Sequence, residues 1–272
     1  MKSASFKILV FTLILFLISN SSVTAQNFNG KAIYVSKSKM ELGNWGARLS
    51  EAQKKQVAAR LKNRLEKKYI LTFNKQEASF KEETKIDAIS GATDSWGAYF
   101  SRGEQYKNIK TTQLIQSQEF YGKRFLVKDN LYKIDWTLGT ETKQIGAYTC
   151  YKAKAFIPNI ELNWYNFSWS DLRNEENTDS DKKENMVVVE AWYTSQIPLA
   201  HGPGEFWGLP GLILEVNVNN TTLLCTEVTI SKGEAVQIEA PDRGTEITKE
   251  KYSKTIRKKM AEMRNNRMRR RG

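Results

Sequence analysis

The run from Trp192 to Glu215 limits the possible folds of this chain more than any other stretch. It sets four glycines and three prolines among Trp192, Tyr193, Phe206 and Trp207. Proline holds φ near −65° and removes a backbone donor, and glycine tolerates φ > 0, so no helix can run through it. Leu209-Pro210-Gly211-Leu212 predicts a tight type II turn that feeds a strand from Leu212 to Val218. Trp192, Pro198, Gly202, Pro203, Gly208, Leu209, Pro210, Gly211, Leu212 and Ile213 are therefore expected to set shape. Turn residues of this kind name no reaction.

Period-two patterning on both sides of that run argues for a β-rich α+β fold. Gly30–Ser36 reads as a short strand, and Tyr69–Phe73 with Gln76–Glu83 reads as a hairpin around Asn74-Lys75. Further strands are expected at Thr111–Phe120, Lys123–Val127, Tyr132–Leu138, Ala147–Phe156, Met186–Tyr193, Leu212–Val218 and Thr221–Ile230. Short strands joined by turn pairs such as Asn219-Asn220 predict an antiparallel meander. One helix is expected in the N-terminal half. Ser50 and Gln53 have capping-box spacing, and Val57, Leu61 and Leu65 form a narrow apolar stripe that ends near Lys68. Residues 87–103 read as a long loop. Residues 158–185 read as an acidic insert that carries Trp164, Tyr165, Phe167 and Trp169.

The two ends of the chain have their own signatures. Lys2 and Lys7 precede an apolar run from Ile8 to Ile18, and Val23-Thr24-Ala25 is a small-residue cleavage site. This is the pattern of a signal peptide cut after Ala25, which sends the chain to the periplasm or the medium. The run is shorter than the roughly 20 residues needed to span a bilayer, so the chain is not expected to be transmembrane. The remainder reads as one domain over residues 26–248 and a basic helical or disordered tail over residues 249–272. Formal net charge is +12, and the tail alone holds eleven Lys/Arg against Glu250 and Glu262. Basicity is therefore a property of the tail, with Arg264, Arg267, Arg269, Arg270 and Arg271 at its end. An anionic surface is a possible partner for it. Nucleic acid is not expected as a partner of an exported chain.

The sequence from Gly208 to Ile213 reads Gly-Leu-Pro-Gly-Leu-Ile, and here the chain resembles the GLPGLI family of exported Bacteroidetes-type proteins, which has no settled function. Lys143–Ala153, Ala191–Thr194 with Ile197-Pro198 and Gly202-Pro203, and the Gly30–Tyr34 and Phe125–Asp129 strands are also similar to that family. The resemblance implies a curved, half-barrel-like antiparallel sheet around a helix. A concave sheet of that kind could hold an apolar guest or an envelope protein.

Chemistry is sparse. Cys150 and Cys225 each lie in a strand-like run, and export favours one disulfide between them, with two buried thiols as the alternative. His201 is the single histidine, in a Gly/Pro loop with Glu205 as its nearest carboxylate. One histidine does not make a metal site, which needs three or four ligands, and no Gly-rich phosphate loop precedes a helix, so neither metal nor cofactor is expected. The leading expectation is a non-catalytic binding or accessory module. The alternatives are a hydrolase-like enzyme using His201 with carboxylates of the insert, and attachment to polyanions or membrane surfaces through the tail.

Overall fold

The computed structural model describes residues 28–39, 48–83, 102–167, 185–232 and 236–269. The leader, its cleavage site at Ala25, most of the acidic insert, and Arg270 and Arg271 lie outside the described residues. Among the described residues, twelve strands form one curved, unclosed, mostly antiparallel sheet. They are β1 (Phe28–Ser38), β2 (Glu66–Phe73), β3 (Glu77–Glu82), β4 (Gln105–Asn108), β5 (Gln113–Phe120), β6 (Lys123–Asn130), β7 (Thr137–Ile145), β8 (Tyr148–Pro158), β9 (Met186–Thr194), β10 (Leu212–Val218), β11 (Thr221–Lys232) and β12 (Thr245–Ile247). The helices are α1 (Glu51–Leu65), α2 (Asn159–Asn163) and α3 (Lys249–Arg269).

The strand order is β12-β6-β5-β4-β3-β2-β1-β11-β10-β9-β8-β7. Two meanders therefore meet at their ends, one running outward from β1 to β6 and one returning from β7 to β11. The seam is the β1–β11 ladder, which pairs Phe28 with Lys232 and Ser38 with Thr221. Two large core clusters lie against the sheet, and the first joins both meanders. Ala32, Tyr34, Leu71, Phe73, Phe80, Leu212 and Leu214 pack in one cluster, and Ala153, Ile157, Val189, Ile213 and Val216 pack in another. Leu212 and Leu214 face one cluster and Ile213 the other, and a register shift between Ile213 and Glu215 puts Val216 with Ile213. An extra residue on one strand re-aims every side chain after it.

Helix α1 starts as its spacing predicts. The Gln53 amide N–H donates to Ser50 Oγ at 3.3 Å, and the Ser50 N–H donates back to Gln53 Oε1 at 2.9 Å. It stops at Leu65, because Glu66–Lys68 already belong to β2. The basic C-terminal helix is present as expected, but it is more than a tail. Tyr252, Ile256 and Met260 are fully buried against Phe125, Val127, Trp164 and Phe167, so α3 docks on the rest of the fold. The Lys249 N–H donates to Asp129 Oδ2 at 2.9 Å, and its ammonium pairs with Glu161 at 2.8 Å, which ties the helix start to β6 and α2. Arg264 is half-buried on this helix, and Arg267 and Arg269 lie on its last turn.

Three more expectations are corrected. The strand expected at Tyr132–Leu138 is displaced to Thr137–Ile145, and residues 131–136 are irregular. Strands β4 and β12 were not expected, and β12 pairs parallel with β6. The cysteines do not form a disulfide. Cys150 and Cys225 are free buried thiols. They lie on β8 and β11 with β9 and β10 between them, and each S–H is turned to a carbonyl of its own strand, Tyr148 at 3.7 Å and Glu227 at 3.3 Å. Burial pushes the Cys150 thiol up to about 11 and the Cys225 thiol up to about 12.

Candidate functional site

The Gly/Pro run between β9 and β10 lies across the inner face of the sheet. After the exposed Ser195, Ile197, Leu199, His201, Phe206 and Leu209 are all buried. The loop is held against the start of β10, for the Leu212 N–H donates to Ile197 O at 2.9 Å and the Ile213 N–H donates to His201 O at 3.0 Å. Its far end is anchored by two indoles. Trp207 Nε1–H donates to Tyr132 O at 2.9 Å, and Trp136 Nε1–H donates to Trp207 O at 2.8 Å. The hollow expected to take an apolar guest is thus occupied here by the chain itself.

The turn at Pro210 is tighter than the type II turn expected. The Gly211 N–H donates to Leu209 O at 2.8 Å, which closes a three-residue turn. Gly211 has φ +159°, inside the positive range that L residues rarely adopt, and a Cβ there would also sit 2.1 Å from the Thr194 carbonyl oxygen. Gly204 is set differently, with φ +54° and the Arg102 guanidinium where its side chain would be.

Lys107 from β4 enters the loop from below. It is fully buried, and its ammonium donates to the carbonyls of Gly202, Gly204 and Phe206 at 2.6, 2.9 and 3.0 Å. Three N–H groups matched to three carbonyls satisfy an ammonium in an interior. Burial still pushes Lys107 down to about 7, against the opposing pull of Glu205. Beside it, Arg102 pairs with Glu205 at 2.7 Å, donates to Tyr165 Oη at 2.8 Å, and lies over the rings of Tyr165 and Phe80. Burial opposes the charge on Arg102, but Glu205 outweighs it and holds the guanidinium protonated. Gln105 donates to Gln116 Oε1 at 3.0 Å and to Glu205 Oε1 at 3.3 Å. Glu205, the carboxylate nearest His201 in sequence, is therefore committed to Arg102 and Gln105.

His201 is sealed. Its Nε2 lies 3.0 Å from the Asn74 carbonyl, which can only accept, so Nε2 carries the hydrogen. Nδ1 is buried with no partner among the described residues, and the Phe73 ring is 6.2 Å away. Burial, reinforced by the charge of Lys107, pushes the imidazole down to about 3. Such a ring is a poor proton acceptor at neutral pH. Among the described residues no group of three or more His, Cys, Asp or Glu side chains could hold a metal ion.

The open feature lies elsewhere. β10 and β11 pair only from Glu215–Leu224 to Val218–Thr221 and then separate. A groove of about 510 Å³ opens at this fork, lined by Ile145, Tyr148, Leu214, Leu224, Cys225 and Val228. Lys143 and Glu215 pair across its rim at 2.7 Å, and the Lys143 ammonium lies 4.3 Å from the centre of the Trp192 ring. Of the residues singled out from sequence, Cys225 lines this region, and Trp192 and Cys150 border it beside Lys143. Pro198, Gly208 and Pro210 lie on the exposed side of the loop, and Gly202, Pro203 and Leu209 lie inside it.

Residues 136–215 match the family described as a protein of unknown function (Porph_ging). The matched segment runs from the anchoring indole of Trp136 to the rim residue Glu215 and contains the whole loop. No curated protein matches the chain. Two solved structures, of PNGF-II in C2 and P21 space groups, are 15% identical over 81% and 82% of this chain, with TM-scores of 0.44 and 0.43. The chain spans under a third of their length, 31% and 32%. No described helix is long and apolar enough to cross a membrane.

Proposed function

We propose that this is an exported, non-catalytic binding module whose ligand enters the groove at the β10–β11 fork. The groove supports this reading, because it joins an apolar floor at Leu214, Cys225 and Val228 to a polar rim at Lys143 and Glu215. Concave apolar sites with a few fixed polar groups are the usual form of ligand pockets. The polar side chains that a hydrolase would need are used otherwise, with His201 neutral and sealed and Glu205 held by Arg102. Export rests on the leader pattern of residues 1–25. The test is binding of the apolar dye 1-anilinonaphthalene-8-sulfonate to the folded protein. One saturable site is expected, lost in Leu224→Arg without a change in melting temperature. Equal binding by that variant would remove the groove from consideration.

The outer face of α3 favours a second activity on the same domain. Lys251, Lys254, Lys258 and Lys259 are exposed while Tyr252, Ile256 and Met260 face inward. A docked helix presents these charges in fixed positions, which suits an anionic surface, with each charge worth about 1 kcal/mol near a membrane. Sedimentation with phosphatidylglycerol vesicles should be lost on reversing Lys254 and Lys258 to glutamate. Undiminished sedimentation would refute it.

A further inference from the structure

We infer that β11 accepts an added strand: an extended peptide of a partner protein pairs antiparallel with its open edge at Cys225–Lys232 and sets an apolar side chain into the adjoining groove. This rests on the groove being the binding site and names its ligand class.

The ladder extents carry the argument. β11 pairs with β1 along its whole length, from Thr221 to Lys232, yet with β10 only over Thr221–Leu224. For the eight residues from Cys225 to Lys232, β1 supplies the only ladder among the described residues. β10 cannot return to fill the gap, because at Ile213 the N–H is spent on the loop carbonyl of His201 and the C=O accepts from the Tyr34 hydroxyl at 2.6 Å. Both strands also carry a register shift at the fork, between Ile213 and Glu215 on β10 and opposite Ile33/Tyr34 on β11. The chain is thus built to part there.

An open strand edge offers alternating N–H and C=O groups, and the complement of that row is another extended backbone about 4.7–4.9 Å away. Native proteins blunt such edges with proline, charge or a covering segment. Cys225–Lys232 contains no proline, and its terminal Lys232 is the one basic residue in it. A peptide continuing the β10–β11 ladder would point alternate side chains toward Leu214, Cys225 and Val228, where the groove has room for them. Charge selects the remaining feature. Glu227 stands on the exposed groove wall with no ion-pair partner among the described residues, whereas Lys143 and Glu215 are already paired. The preferred peptide therefore alternates apolar residues with at least one Lys or Arg.

The test uses a fluorescein-labelled heptapeptide, Lys-Val-Thr-Val-Lys-Val-Thr, and its two forms N-methylated at alternate residues. Binding is read by anisotropy. Strand addition uses every second backbone N–H of the peptide. One methylated form should bind at least tenfold more weakly and the other within about twofold of the parent. Glu227→Lys should weaken the parent severalfold at low salt, with the difference gone at 1 M. Alternate amides of Cys225–Lys232 should exchange freely in the protein alone and slow on peptide binding. If those amides are all protected without peptide, the edge is already covered and the inference falls. If both methylated forms bind like the parent while Leu224→Arg blocks all three, the groove holds apolar side chains without strand pairing. In that case the inference falls and the proposed groove stands. If Leu224→Arg blocks neither peptide nor dye, the groove reading falls and takes the inference with it.

Discussion

Replacing His201 by glutamine should flatten the acid limb of the protein's stability profile. In the folded state the imidazole is neutral, with Nε2–H donated to Asn74 O and Nδ1 buried with no partner among the described residues. Protonation would put a second N–H and a full charge into a site that already faces the Lys107 ammonium and the Phe73 ring, so the group titrates only at about 3. In the unfolded chain it takes up its proton near 6.5. The unfolded state therefore binds more protons between these values, and stability contributed by neutral His201 is complete above pH 6.5 and is lost as pH falls toward 3. Between pH 7 and pH 5 the unfolded chain gains about 2 kcal/mol from this group alone, while the folded protein gains almost nothing. A glutamine at 201 can offer its amide N–H to the same carbonyl and does not titrate. Urea unfolding followed by tryptophan emission at both pH values supplies the comparison. Wild type should lose about 2 kcal/mol more than the variant between pH 7 and pH 5, since carboxylates common to both cancel. Parallel losses would show that His201 is solvated and protonated in the fold, and the sealed-loop description would be wrong.

Other perturbations probe the same architecture. Lys107→Met strips the donors from three buried carbonyls and should cost about 3–5 kcal/mol by chemical denaturation, even after relief of the ammonium's desolvation; a loss below 1 kcal/mol would mean that water reaches the loop. Gly211→Val drives a branched side chain into the Thr194 carbonyl and should lower stability by about 2 kcal/mol or more, and an unchanged melting temperature would refute the close approach. Tyr252→Ala should cost about 3–5 kcal/mol because the ring fills the space between Phe125, Trp164 and Phe167, whereas removing residues 267–272 should leave the melting temperature within about 2 °C. A stable Tyr252→Ala variant would return α3 to the status of a loose tail.

Where side-chain burial is local, the amino-acid sequence was sufficient. β2, β5, β8, β9 and β10 carry buried residues that disclose a strand, the Ser50/Gln53 spacing marked the start of α1, and the Gly/Pro run marked the loop that fills the inner face. Tertiary structure decided the elements whose pattern has no local meaning. β7 is an edge strand exposed along most of its length, so Thr137–Ile145 has no alternation to read. β4 reads as polar, because its buried Gln105 and Lys107 are satisfied by groups about a hundred residues away, at Glu205 and at the Gly202, Gly204 and Phe206 carbonyls. Tyr252, Ile256 and Met260 recur at i, i+4 and i+8, but their partner surface on β6 and around Trp164 has no sequence signature. The cysteines were legible as buried and not as unpaired, since pairing depends on which strands lie between them. The candidate groove opens where β10 leaves β11, with the Ile213 N–H given to the His201 carbonyl and the Ile213 C=O to the Tyr34 hydroxyl. Side-chain periodicity reports whether a residue is inside; which backbone donor meets which acceptor across the sheet is a property of the assembled fold.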